Sequence, residues 1–184
     1  MLKSYASRNH EAMKEVLMSP NESGPEIHYY MIRGGDSKTN ITIWESGTVG
    51  EEYIKTYGHY HVGDLEEDYT VLQGEGVIIL QGQIVDDSIE TFRAIKVKAH
   101  DKVHIPKNTG HLAINTGNVW FVTSDNSPVN FEEKDAVSLP GHADYSQFKR
   151  LRGAAYYVVK KDNEPTLVKN PLYKKVPEVK IENL

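Results

Sequence analysis

Two segments constrain this chain more than the rest of it: residues 58–76, GHYHVGDLEEDYTVLQGEG, and residues 105–115, IPKNTGHLAIN. His59 and His61 are spaced i, i+2, so on a strand their side chains leave the same face. Glu67 stands at the head of a strand-like stretch, residues 68–73, which the glycines Gly74 and Gly76 end in a turn. His111 follows Pro106 and Gly110 and opens another short apolar run. Three imidazoles and one carboxylate form a ligand set suited to Fe(II), Mn(II), Ni(II) or Zn(II). Gathering His59, His61, Glu67 and His111 from separate strands of one antiparallel sheet requires a small barrel with an inward-facing site. A bare His-x-His is a weak signal, since a lone buried histidine is more often packed than ligating. The joint spacing of all four residues carries the reading. His10, His28, His100 and His104 show no comparable pattern.

The remaining sequence agrees with a barrel. Candidate strands fall at residues 27–33, 39–44, 53–61, 68–73, 77–81, 91–97, 103–105, 111–115, 120–123 and 154–159, separated by Gly, Asn, Asp or Ser turns. Residues 7–18 read as a short amphipathic helix carrying Glu11, Met13, Val16 and Leu17, ended by Ser19-Pro20-Asn21. The 184 residues are expected to form a single all-β domain, with the helix at about 7–18, the barrel core at about 27–160 and a Lys-rich tail at 165–184. That tail is expected to wrap the outside or pair at an edge.

The net charge of −5 argues against a nucleic-acid or anionic-membrane partner, but leaves room for an anionic small ligand held by local donors. The absence of cysteine excludes disulfides and thiolate-bound metals and fits a reducing compartment. The N-terminus lacks the apolar core of a signal peptide, and no stretch has the length to span a bilayer. A cytoplasmic protein is the expectation.

The paired segments resemble those of the cupins, double-stranded β-barrels of jelly-roll type whose two motifs deliver His-x-His, Glu and His to one metal. The likeness departs at turns: Tyr53, His100 and Asn108 stand where cupins carry glycine. A narrower resemblance covers residues 29–174. Thr56-Tyr57-Gly58-His59-Tyr60-His61, followed by Glu67-Asp68-Tyr69-Thr70-Val71-Leu72-Gln73-Gly74-Glu75-Gly76, is similar to the T-x-G-H-x-H and E-x-Y-x-x-L-x-G-x-G signature of the cupin-type glucose-6-phosphate isomerases. Gly47-Thr48-Val49-Gly50-Glu51-Glu52, Pro140-Gly141-His142-Ala143-Asp144-Tyr145 and Asn170-Pro171-Leu172-Tyr173 resemble further stretches of that family. The spacer after His61 is one residue shorter than the family's. Glu66 fits the general cupin spacing and Glu67 the isomerase spacing; Glu67 is favoured, because alternation then puts Glu67, Tyr69 and Val71 on one face.

The resemblance implies a metal-dependent aldose–ketose isomerase that interconverts glucose 6-phosphate and fructose 6-phosphate, with one divalent ion per chain, Fe(II) first among the candidates, and a homodimeric assembly. Two routes stay open, proton transfer through an enediol and a hydride shift between C1 and C2. On the first, Glu67 is the natural base where it can leave or share the metal, with Tyr69 a hydrogen-bond donor on the same face and His142 a group for ring opening or proton shuttling. Thr42, Thr56 and Gly58 match the family's phosphate-side positions, and Tyr145 its tyrosine beside the His142 loop. Glycine at position 58 would let a ligand approach the backbone closely. A metal-dependent cupin dioxygenase and a non-enzymatic sugar-binding cupin are the competing expectations.

Overall fold

Short segments of alternating polarity pair antiparallel, so that each strand turns one face inward. In a computed structural model, which describes residues 4–33, 39–128 and 143–184, the chain runs through β1 (Ser4–Asn9), α1 (His10–Met13), a 3-10 turn (Lys14–Val16), β2 (Ile27–Arg33), β3 (Asn40–Trp44), β4 (Thr48–Val49), β5 (Glu52–Tyr53) and β6 (Tyr60–His61). It continues through β7 (Glu67–Gln73), β8 (Glu75–Gln81), β9 (Phe92–Lys98), β10 (Lys102–Ile105), β11 (Gly110–Asn115), β12 (Phe121–Asp125) and β13 (Ala143–Asp144). Then follow α2 (Ser146–Arg150), β14 (Tyr156–Lys161), β15 (Glu164–Lys169) and β16 (Ile181–Asn183). The main walls are a six-stranded sheet, β1-β2-β3-β12-β7-β10, and a four-stranded sheet, β11-β8-β9-β16. Two smaller sheets, β13-β6 and β15-β14-β5-β4, stand beside them among the described residues. This is the cupin-type all-β double-stranded barrel.

Strand register on the six-stranded wall sorts the inward residues into rows. Tyr29 lies opposite Trp44, and Trp44 opposite Phe121; all three are buried. The next row is Met31, Thr42, Thr123 and Val71. Beyond it come Asn40, Asp125 and Tyr69, with Arg33 two residues past Met31 on the same face of β2. The wall therefore passes from an aromatic floor to a polar rim. The opposite wall does not alternate: residues 76–81 of β8 and all of β11 are buried, as expected of strands covered on both faces. Its outer cover includes Tyr156, packed 5.0 Å from Phe92.

Two buried polar side chains tie the C-terminal part to this barrel. Gln81 accepts from the Ala155 N–H at 3.0 Å and donates to Tyr60 Oη at 3.0 Å and Tyr173 Oη at 3.2 Å. Asn170 donates to the carbonyls of Leu151 and Ala154 and accepts from the Leu172 N–H. The Asn-Pro-Leu-Tyr stretch singled out by resemblance thus acts as a structural clamp. The tail pairs at edges, through β15 on β14 and through β16, parallel to β9.

Two expectations are corrected here. Helix covers only His10–Val16, because residues 7–9 pair with Tyr30, Tyr29 and Ile27 of β2, and Asn9 Oδ1 caps the helix by accepting from the Ala12 N–H. Sheet pairing overrides the helical periodicity of this stretch. Residues 53–61 are not one strand: β5 and β6 are separated by an irregular path that touches β11 through bridges at Lys55–Ile114 and His59–His111. Gly58, at φ +84°, makes the bend.

Candidate metal centre and adjoining cavity

The irregular path matters because it brings the first histidine to the last. His59 and His111 exchange both backbone hydrogen bonds, His59 N–H to His111 O at 3.2 Å and His111 N–H to His59 O at 3.0 Å. Directly paired residues of an antiparallel ladder project to one side, and the two rings lie 4.4 Å apart. His61, on β6, adds a third ring 5.2 Å from His59 and 4.9 Å from His111. Glu67, the first residue of β7, closes the group. One ligating atom from each of His59, His61, Glu67 and His111 falls within 4.8 Å of all the others. The strands β6, β7 and β11, which carry His61, Glu67 and His111, belong to three different sheets. The expectation of one sheet is thereby corrected: the site fills the space where the sheets face one another, which is what lets four side chains converge.

The donor chemistry fits a cation. His61 Nδ1 lies 3.2 Å from the Leu65 carbonyl and His111 Nδ1 lies 3.2 Å from the Thr109 carbonyl. A carbonyl only accepts, so both Nδ1 atoms carry the proton, and Nε2 is left as the lone-pair donor. His111 Nε2 and Glu67 Oε1 are buried 2.8 Å apart, and neither has a well-formed hydrogen bond among the described residues. Buried polar atoms left in that state are costly, and a shared cation removes the cost. Burial pushes the Glu67 carboxyl up, but with the His111 and His61 rings protonated, a hydrogen bond from His111, the charge of both rings and a hydrogen bond from Ser127 outweigh it and hold it below the usual carboxylate range. A cation bound at the bare Nε2 atoms would supply the same positive charge. Glu66, one residue earlier, is exposed and points outward toward His104 at 3.9 Å.

A cavity opens beside this cluster. Its lining includes His59 and Glu67 together with Thr42, Thr56, Gly58, Tyr69 and Tyr145, so the residues picked from sequence on several separate segments meet in one space. Tyr69 is buried, and its ring stands edge-on to His111 at 5.8 Å. Burial, with Glu67 and Asp125 adding to it, pushes the Tyr69 phenol well above its ordinary value, so it stays protonated and able to donate. Thr56 Oγ1 accepts from the Ala113 N–H at 3.1 Å, which leaves its own proton to donate elsewhere. Tyr145 packs edge-on against Tyr57 at 5.3 Å and lies 5.5 Å from His59. Gly58 is required for a second reason besides close approach. A Cβ there would sit 2.6 Å from the Phe148 ring. His142 lies outside the described residues.

Sequence reasoning missed Arg33, Asn40, Asp125 and Ser127, all of which line the same cavity. Asn40 Nδ2 donates to Asp125 Oδ1 at 2.7 Å, and Ser127 Oγ donates to the same oxygen at 2.5 Å. Only the register of β3 against β12 creates that network. Arg33 had a signal, since it shares the inward parity of Tyr29 and Met31 at the end of β2. The non-glycine residues at two glycine positions of the cupin motif keep the glycine-like backbone: His100 has φ +80° and Asn108 has φ +59°. The turns survive even though the residue type does not.

Comparison with known proteins bears on the same residues. The family model described as glucose-6-phosphate isomerase (GPI) matches residues 5–175. The glucose-6-phosphate isomerase of Pyrococcus abyssi is 30% identical over 141 residues, which cover 76% of this chain and 66% of that protein. That of Thermococcus gammatolerans is 31% identical over 140 residues, with the same coverage. The chain thus spans slightly less than two thirds of these relatives. A solved structure of a predicted oxalate decarboxylase from Thermotoga maritima covers 53% of this chain and 76% of its own at 19% identity, with a TM-score of 0.39, so the fold rests on the strands described above. With the matched region running from β1 through the histidine cluster to the Asn170 clamp, the chain belongs to the glucose-6-phosphate isomerase family.

Proposed function

We propose that this chain interconverts glucose 6-phosphate and fructose 6-phosphate with the aid of one divalent metal, Fe(II) in the first instance, held by His59, His61, Glu67 and His111. The observation that carries the reading is the shared cavity: a four-residue ligand cluster opens directly onto Glu67, Tyr69, Thr42, Thr56 and Gly58. When bound, the ion supplies Lewis-acid stabilisation of the oxygen charge that develops as hydrogen moves between C1 and C2.

The chain's own groups do the rest. Glu67 is ionised and borders the cavity, so it can take the proton from one carbon and return it to the next. Tyr69 keeps its proton and donates to a sugar oxygen. Thr42 and Thr56 donate to the phosphate, and the bend at Gly58 lets the ligand sit against the backbone. Tyr145 lays an aromatic edge along the sugar, a surface with one apolar face and a polar tip. His142 is kept as a candidate for ring opening.

A homodimer is part of this proposal. The outward face of the six-stranded sheet carries Tyr30, Ile32, Ile41, Ile43 and Val122, all half-buried, with Leu72 and Trp120 exposed beside them and Trp120 stacked on Tyr30. An apolar patch of that kind favours a partner surface. Among the described residues no helix is long and apolar enough to cross a membrane, and we place the enzyme in the cytoplasm.

The test is a coupled assay of fructose 6-phosphate conversion, run before and after chelation and after addition of Fe(II) or Mn(II), in air and without oxygen. Conversion that chelator abolishes, that metal restores and that oxygen does not affect is expected. Absence of conversion under every metal condition, or dependence on oxygen, overturns the proposal.

A further inference from the structure

On the reading that the cavity takes a phosphorylated hexose, we infer that Arg33 is the cation that receives the phosphate and sets the preference for phosphorylated over free sugar. Arg33 closes β2 on the inward face, at the polar rim of the wall. Among the described residues that line the cavity it is the one lysine or arginine. Its guanidinium is held only lightly. Nη1 lies 3.4 Å from Thr42 Oγ1, 3.3 Å from the Ile32 carbonyl and 3.5 Å from the Ile41 carbonyl, each longer than the usual optimum of about 2.9 Å. Among the described residues these hydrogen bonds all run through Nη1, which leaves the donors of Nη2 and Nε uncommitted. A planar fork in that state suits two oxygens of one phosphate.

The surroundings favour a cation there for an anionic ligand. The chain carries a net charge of −5, and the cavity holds two carboxylates, Glu67 and Asp125. Each is already committed. Glu67 turns its Oε1 to the histidines, and Asp125 Oδ1 accepts from Asn40 Nδ2, Ser127 Oγ and the Ser127 N–H. Thr42 and Thr56 offer neutral donors only. Arg8, the other guanidinium nearby, is laid over the Tyr57 and Tyr145 rings at 5.6 and 5.4 Å and is not part of the lining. Arg33 touches Thr42, which stands on the phosphate side by resemblance, so a phosphate on that threonine meets the guanidinium at once.

The experiment compares wild type, Arg33→Gln and Arg33→Lys as metal-loaded enzyme. Arg33→Gln should raise KM for fructose 6-phosphate about 10- to 100-fold, the range expected of hydrogen bonds to a charged group, while kcat falls far less. Competitive inhibition by inorganic phosphate should weaken by a similar factor, and discrimination against unphosphorylated fructose should fall with it. Arg33→Lys, a point charge without the fork, should recover part of the loss. If wild type is active and Arg33→Gln keeps both KM and phosphate inhibition, the inference is overturned and the isomerase reading stands. If wild type binds inorganic phosphate calorimetrically in an Arg33-dependent way yet converts no hexose phosphate, the isomerase reading falls and the anion site remains. If wild type neither binds phosphate nor converts the sugar, both are overturned.

Discussion

The two sides of the cavity are built on opposite principles. The histidine side draws three of its four candidate ligands from nine consecutive residues, 59–67, and the fourth from a strand that exchanges backbone hydrogen bonds with the first. The sheet side draws Arg33, Asn40, Asp125 and Tyr69 from four strands that become neighbours only when the six-stranded sheet forms. A local motif positions its groups by chain geometry and tolerates changes elsewhere. A register-built wall positions its groups by pairing, so each depends on strands far away in sequence.

That contrast can be broken at its strongest point first. If the proposed site is right, His111→Ala removes one of its ligands and leaves Glu67 Oε1 facing an emptied space, so bound metal and turnover should be lost together, the rate falling by about 10³ or more where metal chemistry dominates. Metal analysis and the coupled assay on one preparation check this; a variant with full metal and full turnover removes His111 from the site. Glu67→Gln separates holding the metal from moving the proton. Turnover should drop about 10²- to 10⁴-fold with most of the metal retained, and a variant that keeps its rate would transfer the base role elsewhere.

The sheet side should respond in binding rather than in metal content. Thr42→Val or Thr56→Val removes one donor to a charged group and should weaken sugar-phosphate binding by about 1.5–3 kcal/mol, read as KM with metal occupancy unchanged. Thr56→Val also leaves the Ala113 N–H without its side-chain acceptor, so its melting temperature should fall further than that of Thr42→Val. Equal melting temperatures would mean that this hydrogen bond contributes little.

Gly58→Ala tests the joint between the two sides. The left-handed backbone costs a β-carbon about 1–2 kcal/mol, and the Phe148 ring 2.6 Å away adds a clash. Thermal unfolding should show the loss, and Phe148→Leu in the same chain should return part of it. Without such coupling, the left-handed backbone and close ligand approach would explain the glycine without Phe148. Smallest of all is Glu66→Gln. Its side chain is exposed, so stability should stay within about 0.5 kcal/mol and turnover should be unaffected; a large loss of turnover would reverse the choice between Glu66 and Glu67.

What could be read in advance follows the same division. Alternation along residues 67–71 put Glu67, Tyr69 and Val71 on one face, and all three are buried while Glu66 and Asp68 are exposed. Most strands were visible as short apolar runs between turns. The N-terminal segment misled, because the pattern of residues 7–18 has helical period, yet β2 offered residues 7–9 a row of backbone partners. The break between Tyr53 and Tyr60 was also hidden, since an irregular path that bridges to β11 has no periodicity to detect.

The sequence by itself pointed to His59, His61 and Glu67 as one local group, to the parity of the carboxylate, to the all-β class and to most turn positions, because each follows from spacing within a few residues of chain. Tertiary structure alone decided that His111 joins the cluster, whose strands belong to three sheets rather than one, that Asn40 and Ser127 donate to Asp125, that Phe148 leaves no room for a side chain at position 58, and that Arg33 opens onto the same cavity as Thr42. The reason is physical. Side-chain direction is periodic along a strand, whereas the choice of neighbouring strand and register is set by burial summed over the whole barrel, which short-range spacing does not encode.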